Sequence, residues 1–248
     1  MEQGKMHLVM PMGGKGSRFA EKGFDYPKPL IEIYGKPFFY WSVRSIEKFV
    51  LVKDIIFVVL KEHVEKFHID TEIQNYFPEA IIHVIPEVLN GAVLTCIEAL
   101  KEIEDELPIL FNDCDHLFRS TTFNEFCNGE QRDSIDGALL TFRSRDDKYG
   151  YVKLDTSGNV CGTAEKRAVS CHAICGAYYF RNANIFYEAA QQYLNDCDYQ
   201  EYYLSGVYNA MAEMGQNIVS FETDFHIPYG TPEEYRDAQK SKRFEELI

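Results

Sequence analysis

Short apolar, β-branched runs recur along the chain at 6–11 (MHLVMP), 54–60 (DIIFVVL), 80–86 (AIIHVIP), 107–112 (LPILFN) and 136–142 (DGALLTF). Runs that are apolar almost throughout, rather than alternating, mark strands buried on both faces. The stretches between them carry helical periodicity: 38–50, where Val43, Ile46, Phe49 and Val50 share a face, then 61–77, 91–103 and 122–128. Thr122 followed by Glu125 has the spacing of a capping box and predicts the start of the last of these. Strands alternating with helices of this length predict right-handed βαβ units and a largely parallel sheet.

Beyond residue 143 the rhythm changes. The stretch 151–160 (YVKLDTSGNV) reads as a hairpin turning at Ser157-Gly158-Asn159. A strand at 172–180, helices at 183–195 and 202–214, and a strand at 217–225 follow. Thr231-Pro232-Glu233-Glu234 then gives a helix start, with Thr as N-cap and Pro at the first helical position. No Gly/Ser linker, low-complexity tract or internal repeat interrupts the chain. The expectation is a single α/β domain over 1–248, Rossmann-like, with three α/β/α layers around a mixed, mostly parallel central sheet. Residues 1–143 form its first half and 144–248 its second.

Composition narrows the function classes. A chain of 248 residues, 46% hydrophobic and 26% charged, can bury a substantial core. It has no apolar run near the roughly 20 residues a membrane helix needs. The apolar stretch at the start runs straight into glycines, unlike the long apolar region of a signal peptide, so a cytoplasmic protein without membrane contact is expected. Cys96, Cys114, Cys127, Cys161, Cys171, Cys175 and Cys197 form no C-x-x-C pair and read as reduced thiols. A net charge of −14 argues against nucleic acid as a partner, since backbone binding relies on clustered Lys and Arg. An anionic ligand must then be met by a local basic site.

Residues 12–30 supply one. Met12-Gly13-Gly14-Lys15-Gly16-Ser17-Arg18 leaves the first predicted strand, at the sheet edge where α/β folds place ligands. Its glycines let backbone N–H groups approach anionic oxygens, and Lys15 and Arg18 add charge. The stretch is not a P-loop, which needs K-[S/T] directly after the second glycine of G-x-x-x-x-G. Nor is it a dinucleotide fingerprint, because Phe19 stands where the third glycine belongs. Downstream, Pro27 and Pro29 frame Lys28 on a stiff extended segment, which suits a fixed positive charge beside a reacting phosphate.

Taken together, PMGGKGSRF (11–19) and YPKPLIEIYGKP (26–37) resemble the signature of the sugar-phosphate nucleotidylyltransferases, or nucleotide-sugar pyrophosphorylases, which have a GT-A-like fold. The resemblance runs the length of the chain and is strongest in the first 40 residues. It implies transfer of a nucleoside monophosphate from a nucleoside triphosphate to a small phosphorylated acceptor, typically a sugar 1-phosphate. Pyrophosphate is released, Mg²⁺ is the cofactor, and the product is an activated precursor for surface polysaccharide. Members of the family often form dimers or tetramers, so a homo-oligomer is one option and the oligomeric state stays open.

By match with that family, Met12, Gly13, Gly14, Lys15 and Gly16 cradle the nucleotide, and Gly91 and Ala92 approach its base. Arg18 contacts the leaving phosphates and Lys28 the α-phosphate. Asp115 is the implied metal ligand, with Asp113 as the alternative. Tyr149, Gly150, Glu165, Lys166 and Gly176 are implied on the acceptor side. One departure stands out. Where many members read W-x-D-x-G-T, this chain reads His226-Ile227-Pro228-Tyr229-Gly230-Thr231, with Pro228 in place of a second metal aspartate. Asp224 or His226 could substitute, or the metal could rest on Asp115 and phosphate oxygens. The alternatives are a non-catalytic nucleotide-sugar binding or regulatory homologue, and a GT-A glycosyltransferase using Asp113-Cys114-Asp115 as its D-x-D motif.

Overall fold

The computed structural model describes residues 4–247. In chain order the elements are β1 (Met6–Met12), α1 (Ser17–Ala20), β2 (Glu32–Ile33), β3 (Lys36–Pro37), α2 (Phe38–Glu47), β4 (Val52–Leu60), α3 (Lys61–Phe67) and α4 (Ile69–Tyr76). Next come β5 (Ile81–Ile85), α5 (Ala92–Ala99), β6 (Ile109–Asn112), β7 (His116–Arg119), α6 (Thr121–Asn128), β8 (Gly137–Arg143), β9 (Tyr151–Leu154) and β10 (Val160–Ala164). The chain closes with β11 (His172–Phe180), α7 (Ala183–Asp196), α8 (Leu204–Glu213), β12 (Ile218–Glu222), β13 (Phe225–Pro228) and α9 (Pro232–Ala238).

The expected α/β architecture is present. One sheet runs β5-β4-β1-β6-β11-β8-β12. The strands β5, β4, β1 and β6 are parallel, β11 lies antiparallel to both β6 and β8, and β12 is parallel to β8. The β9–β10 hairpin joins through Tyr151 opposite Ala173 of β11. Alternate residues of the central strands feed two apolar cores. Val9, Ile56 and Val58 pack with Val93 and Cys96 of α5 and Ala189 of α7. Leu8, Met10, Phe57 and Val59 pack with Phe39 and Val43 of α2 and Ile69 and Ile73 of α4. The sheet is therefore the middle of three layers.

Four expectations need correction. The helix at 61–77 is broken in two at His68, whose left-handed backbone (φ 51°) caps α3 and re-aims the chain so that Ile69 and Ile73 reach the core. The strand at 217–225 ends at Glu222, and Phe225–Pro228 instead forms β13, antiparallel to an unforeseen β7. The helix α6 is capped by Ser120, whose hydroxyl accepts from the Phe123 amide at 3.3 Å, so Thr122 lies inside the helix. The helix predicted at 91–103 runs as α only to Ala99 and tightens into a 3-10 turn at Leu100–Glu102. Thr231 caps α9 as expected, accepting from the Glu234 amide.

Candidate active site

The glycine loop leaves β1 at the carboxyl edge of the parallel strands and packs onto the lysine segment. Met12 is buried at the end of β1. A side chain at Gly13 would meet Ile85 at 2.9 Å and Thr95 at 3.1 Å, so this glycine lets the loop lie on α5 and β5. Gly14 faces open space, leaving its backbone approachable. Gly16, in the left-handed region at φ 64°, opens α1, and a Cβ there would sit 2.9 Å from the Lys28 Cβ. Lys15 and Arg18 are exposed.

Lys28 does not lie on the expected extended segment: only Pro27 before it is extended, and Lys28 opens a 3-10 turn closed by the Ile31 amide donating to its carbonyl. Its Nζ donates to Asp115 Oδ2 at 3.0 Å. Asp115 lies in the short link between β6 and β7, and Asp113, at the start of that link, donates its amide to the Gly176 carbonyl at 2.8 Å. Gly176 (φ 95°) falls where the β11–β8 register slips between Ile174 and Tyr178. A Cβ there would stand 2.6 Å from Asp113 Oδ2, so only glycine lets the bulged strand approach the carboxylate this closely.

Beside the Lys28–Asp115 pair lies an open cavity of about 200 Å³. Arg18, Asp113 and Asp115 line one part of it, and Tyr149, Gly150, Glu165 and Gly176 line another. Among the lining residues that sequence reading missed are two charged ones, Lys148 and Glu234. Tyr149 donates its hydroxyl to Glu234 at 2.8 Å, and Lys148 Nζ pairs with the same carboxylate at 2.9 Å. Glu234 carried only the signal of a helix start, and Lys148 only its place beside Tyr149. His116, His226 and Pro228 complete this wall.

Burial and charge set the protonation of the site. Burial, with the charges of Asp115 and Glu165 adding to it, pushes the Asp113 carboxyl up to about 7. Asp115 is also penalised by burial, but Lys28 and His116 outweigh this and hold it below the usual carboxylate range. Burial would lower Lys28, yet the charges of Asp115 and its neighbours raise it, so it stays an ammonium. Burial raises Glu165, which accepts from Ser205 Oγ at 2.7 Å. Burial drops His116 to about 4 and His226 well below its ordinary value, so both rings are neutral near pH 7.

Not every expected residue meets at the cavity: Met12, Gly13, Gly14, Lys15 and Gly16 lie outside its lining, and Lys28 reaches it only through Asp115. Gly91 (φ 98°) and Ala92 open α5, whose Thr95 lies under Gly13, but they do not line the cavity. Lys166 takes a left-handed backbone (φ 51°), and its Nζ donates to the Tyr203 hydroxyl at 2.8 Å, in a separate cleft. Asp224 is placed elsewhere: it accepts from the amide and hydroxyl of Thr121, at 3.1 and 2.7 Å, beside Arg119. It holds the first residue of α6 and does not line the cavity. Among the described residues no set of three His, Cys, Asp or Glu side chains is disposed to hold a metal ion, and no helix is long and apolar enough to cross a membrane.

The chain is similar to proteins of one broad group. The structure of a nucleoside-diphosphate-sugar pyrophosphorylase from Vibrio cholerae RC9 superposes with a TM-score of 0.79 at 23% identity, over 94% of this chain and 100% of that one. An inositol-1-phosphate CTP transferase from T. maritima gives 0.75 at 14% identity, over 100% and 95%. At these identities the likeness shows a shared fold. In sequence, the bifunctional protein GlmU of Lactobacillus johnsonii is 28% identical over 166 residues, which are 63% of this chain and 35% of that protein. The chain thus spans about a third of that relative's length. A 2-C-methyl-D-erythritol 4-phosphate cytidylyltransferase of Clostridium perfringens is 35% identical over 69 residues, 28% of this chain and 29% of the relative. A family profile described as nucleotidyl transferase matches residues 8–243. With a glycine loop, a proline-framed lysine and an aspartate pair converging at the carboxyl edge of its sheet, and a family match over almost its whole length, the chain belongs to the nucleotidyl transferase family.

Proposed function

We propose that this protein transfers a nucleoside monophosphate from a nucleoside triphosphate to a small phosphorylated acceptor, with release of pyrophosphate. A sugar 1-phosphate is the favoured acceptor, and the product is an activated precursor for surface polysaccharide, made in the cytoplasm. The observation that carries the reading is the Lys28–Asp115 pair at 3.0 Å, whose Asp115 lines the same cavity as Arg18 and Asp113.

The reacting groups are both anions, so charge neutralisation and positioning dominate the barrier. An oxygen of the acceptor phosphate attacks the α-phosphorus in line, and the bond to the bridging oxygen of pyrophosphate breaks. Lys28, held as an ammonium on a proline-stiffened turn, neutralises charge at the α-phosphate without reorganising. Arg18 meets the departing phosphates, and the open backbone at Gly14 receives the triphosphate. Tyr149, Gly150, Glu165 and Gly176 shape the acceptor side.

The cavity fits Mg²⁺ by its donor set. Asp113 and Asp115 offer hard oxygen ligands, and their mutual repulsion, which helps raise Asp113, is what a divalent cation relieves. Those two carboxylates would hold the ion, with waters and phosphate oxygens filling its shell, and it would supply Lewis-acid stabilisation of phosphate charge. Pro228 on the cavity wall favours a second reading, a binding protein that has lost turnover.

The test is pyrophosphate release with Mg²⁺, crossing CTP, UTP, dTTP, GTP and ATP against sugar 1-phosphates, phosphocholine and other small phosphate esters. Release that requires one nucleotide and one acceptor supports transferase activity. Silence from folded protein that still binds a nucleotide favours the second reading, and consumption of a sugar nucleotide would identify a glycosyltransferase.

A further inference from the structure

A second cleft, of about 820 Å³, shares Glu165 with the reaction cavity and extends along β10 toward α8. Its charge is unusual for this chain. Acidic residues outnumber basic ones 39 to 25 overall, yet the cleft gathers Lys153, Lys166 and Arg167. The carboxylates that line it are engaged by neutral partners: Glu165 accepts from Ser205 at 2.7 Å, and Glu213 accepts from Gln192 Nε2 at 3.0 Å. Among the described residues, no carboxylate pairs with Lys153, Lys166 or Arg167. Lys166 keeps an uncommon left-handed backbone in this cleft, where its ammonium bonds the Tyr203 hydroxyl and stands 5.0 Å from that ring's centre. The neighbouring framework is fixed, since Asn209 Oδ1 accepts from the Thr163 amide at 2.7 Å, and Gly162 packs against that same side chain.

We propose that this cleft is a distal subsite for an anionic group carried by the acceptor, so that the favoured acceptor bears a carboxylate or second phosphate besides the phosphate that reacts. The inference rests on the proposed transferase reading, because Glu165, which lines both clefts, is what joins the two sites. Lys153 and Arg167 bind the distal anion through charge-assisted hydrogen bonds, and Glu165 lies between it and the reacting phosphate. An acceptor that spans both clefts places an anion where the protein holds its unmatched cations.

The experiment compares glucose 1-phosphate, glucuronic acid 1-phosphate and glucose 1,6-bisphosphate as acceptors with the full chain, reading pyrophosphate release for the wild type and the Lys153→Ala/Arg167→Ala variant. The expected result is a kcat/KM for one doubly anionic acceptor about tenfold or more above that for glucose 1-phosphate, a ratio that collapses toward unity in the variant. Whether the uronate or the bisphosphate is preferred distinguishes carboxylate from phosphate. Equal use of all three, or a preference that survives in the variant, overturns the proposal. If none of the three is turned over, the transferase reading fails for these acceptors, and calorimetric titration with glucose 1,6-bisphosphate decides the subsite separately. Binding about tenfold or more weaker in the variant supports it, and unchanged binding or none to the wild type overturns it.

Discussion

Lys28 and Asp115, 87 residues apart in the chain, meet at 3.0 Å, which joins the proline-framed turn to the link that follows β6. On the proposed mechanism Lys28 acts as a fixed charge. Replacing it with alanine is expected to lower turnover by about 100-fold or more, equivalent to roughly 3 kcal/mol of transition-state stabilisation. Single-turnover kinetics on folded Lys28→Ala protein check this, and near-normal turnover would remove the residue from the mechanism.

The aspartates are expected to differ. Asp115 is ionised against Lys28, whereas Asp113 is pushed up to about 7 and is partly protonated near neutrality in the metal-free protein. Asp115→Asn is expected to abolish Mg²⁺-dependent activity, while Asp113→Asn keeps measurable activity. A Mg²⁺ titration of both variants reads the difference, and the reverse pattern would reassign the metal ligand.

Gly91 is fixed by its surroundings as well as its backbone. At φ 98°, a Cβ would sit 2.4 Å from the Tyr202 nitrogen. Gly91→Ala is expected to cost about 3 kcal/mol, from overpacking against backbone and from a conformation that side chains avoid. Urea unfolding measures this, and a loss below about 1 kcal/mol would show that the loop before α8 shifts freely.

At the opposite end of β1, Asp105 links His7, at 2.9 Å, to Lys53. Burial works against its ionisation, but hydrogen bonds from Lys53, His7 and the Leu107 amide prevail and bring the carboxyl from 3.8 down to about 2. A depressed folded-state value means that the stabilisation is present above about pH 4 and is lost as the pH falls through about 2. Asp105→Asn is therefore expected to flatten the fall in stability across that window, as followed by urea unfolding at stepped pH. An identical slope in the variant would assign acid sensitivity to other carboxylates.

Much of the fold was legible because the parallel strands are buried on both sides and therefore read as apolar runs. The losses have local causes. His68 breaks a helical pattern by adopting a left-handed turn that a residue other than glycine rarely announces. The four residues of β7 and of β13 are too short for periodicity, and each is defined only by pairing with the other. Ser120 took the cap from Thr122 because tertiary contacts, including its bond to the Glu222 carbonyl at 2.9 Å, decide which hydroxyl faces the helix end. In the site, the glycine loop and Lys28 stood out by residue type and spacing, whereas Asp113 and Asp115 were singled out only by resemblance to the family. The placement of Lys166 and Asp224 could not be read, since it follows from a backbone twist and from bonds to the first residue of a helix.

The ribbon of β7 and β13 also gives the site an order of assembly. The Tyr229 amide donates to the Asp115 carbonyl at 2.9 Å, and its buried hydroxyl reaches the His116 carbonyl at 2.8 Å. Residues near the end of the chain thus brace the link that carries Asp115, and His226, Pro228 and Glu234 supply one wall of the cavity. The strands β1, β4, β5 and β6 all precede this ribbon in the chain, but a chain ending at Asp224 would keep every glycine-loop residue and lack this wall of the cavity. On the proposed reading, competence to bind both reactants therefore waits for residues 225–234 to be in place, long after the nucleotide loop has been made.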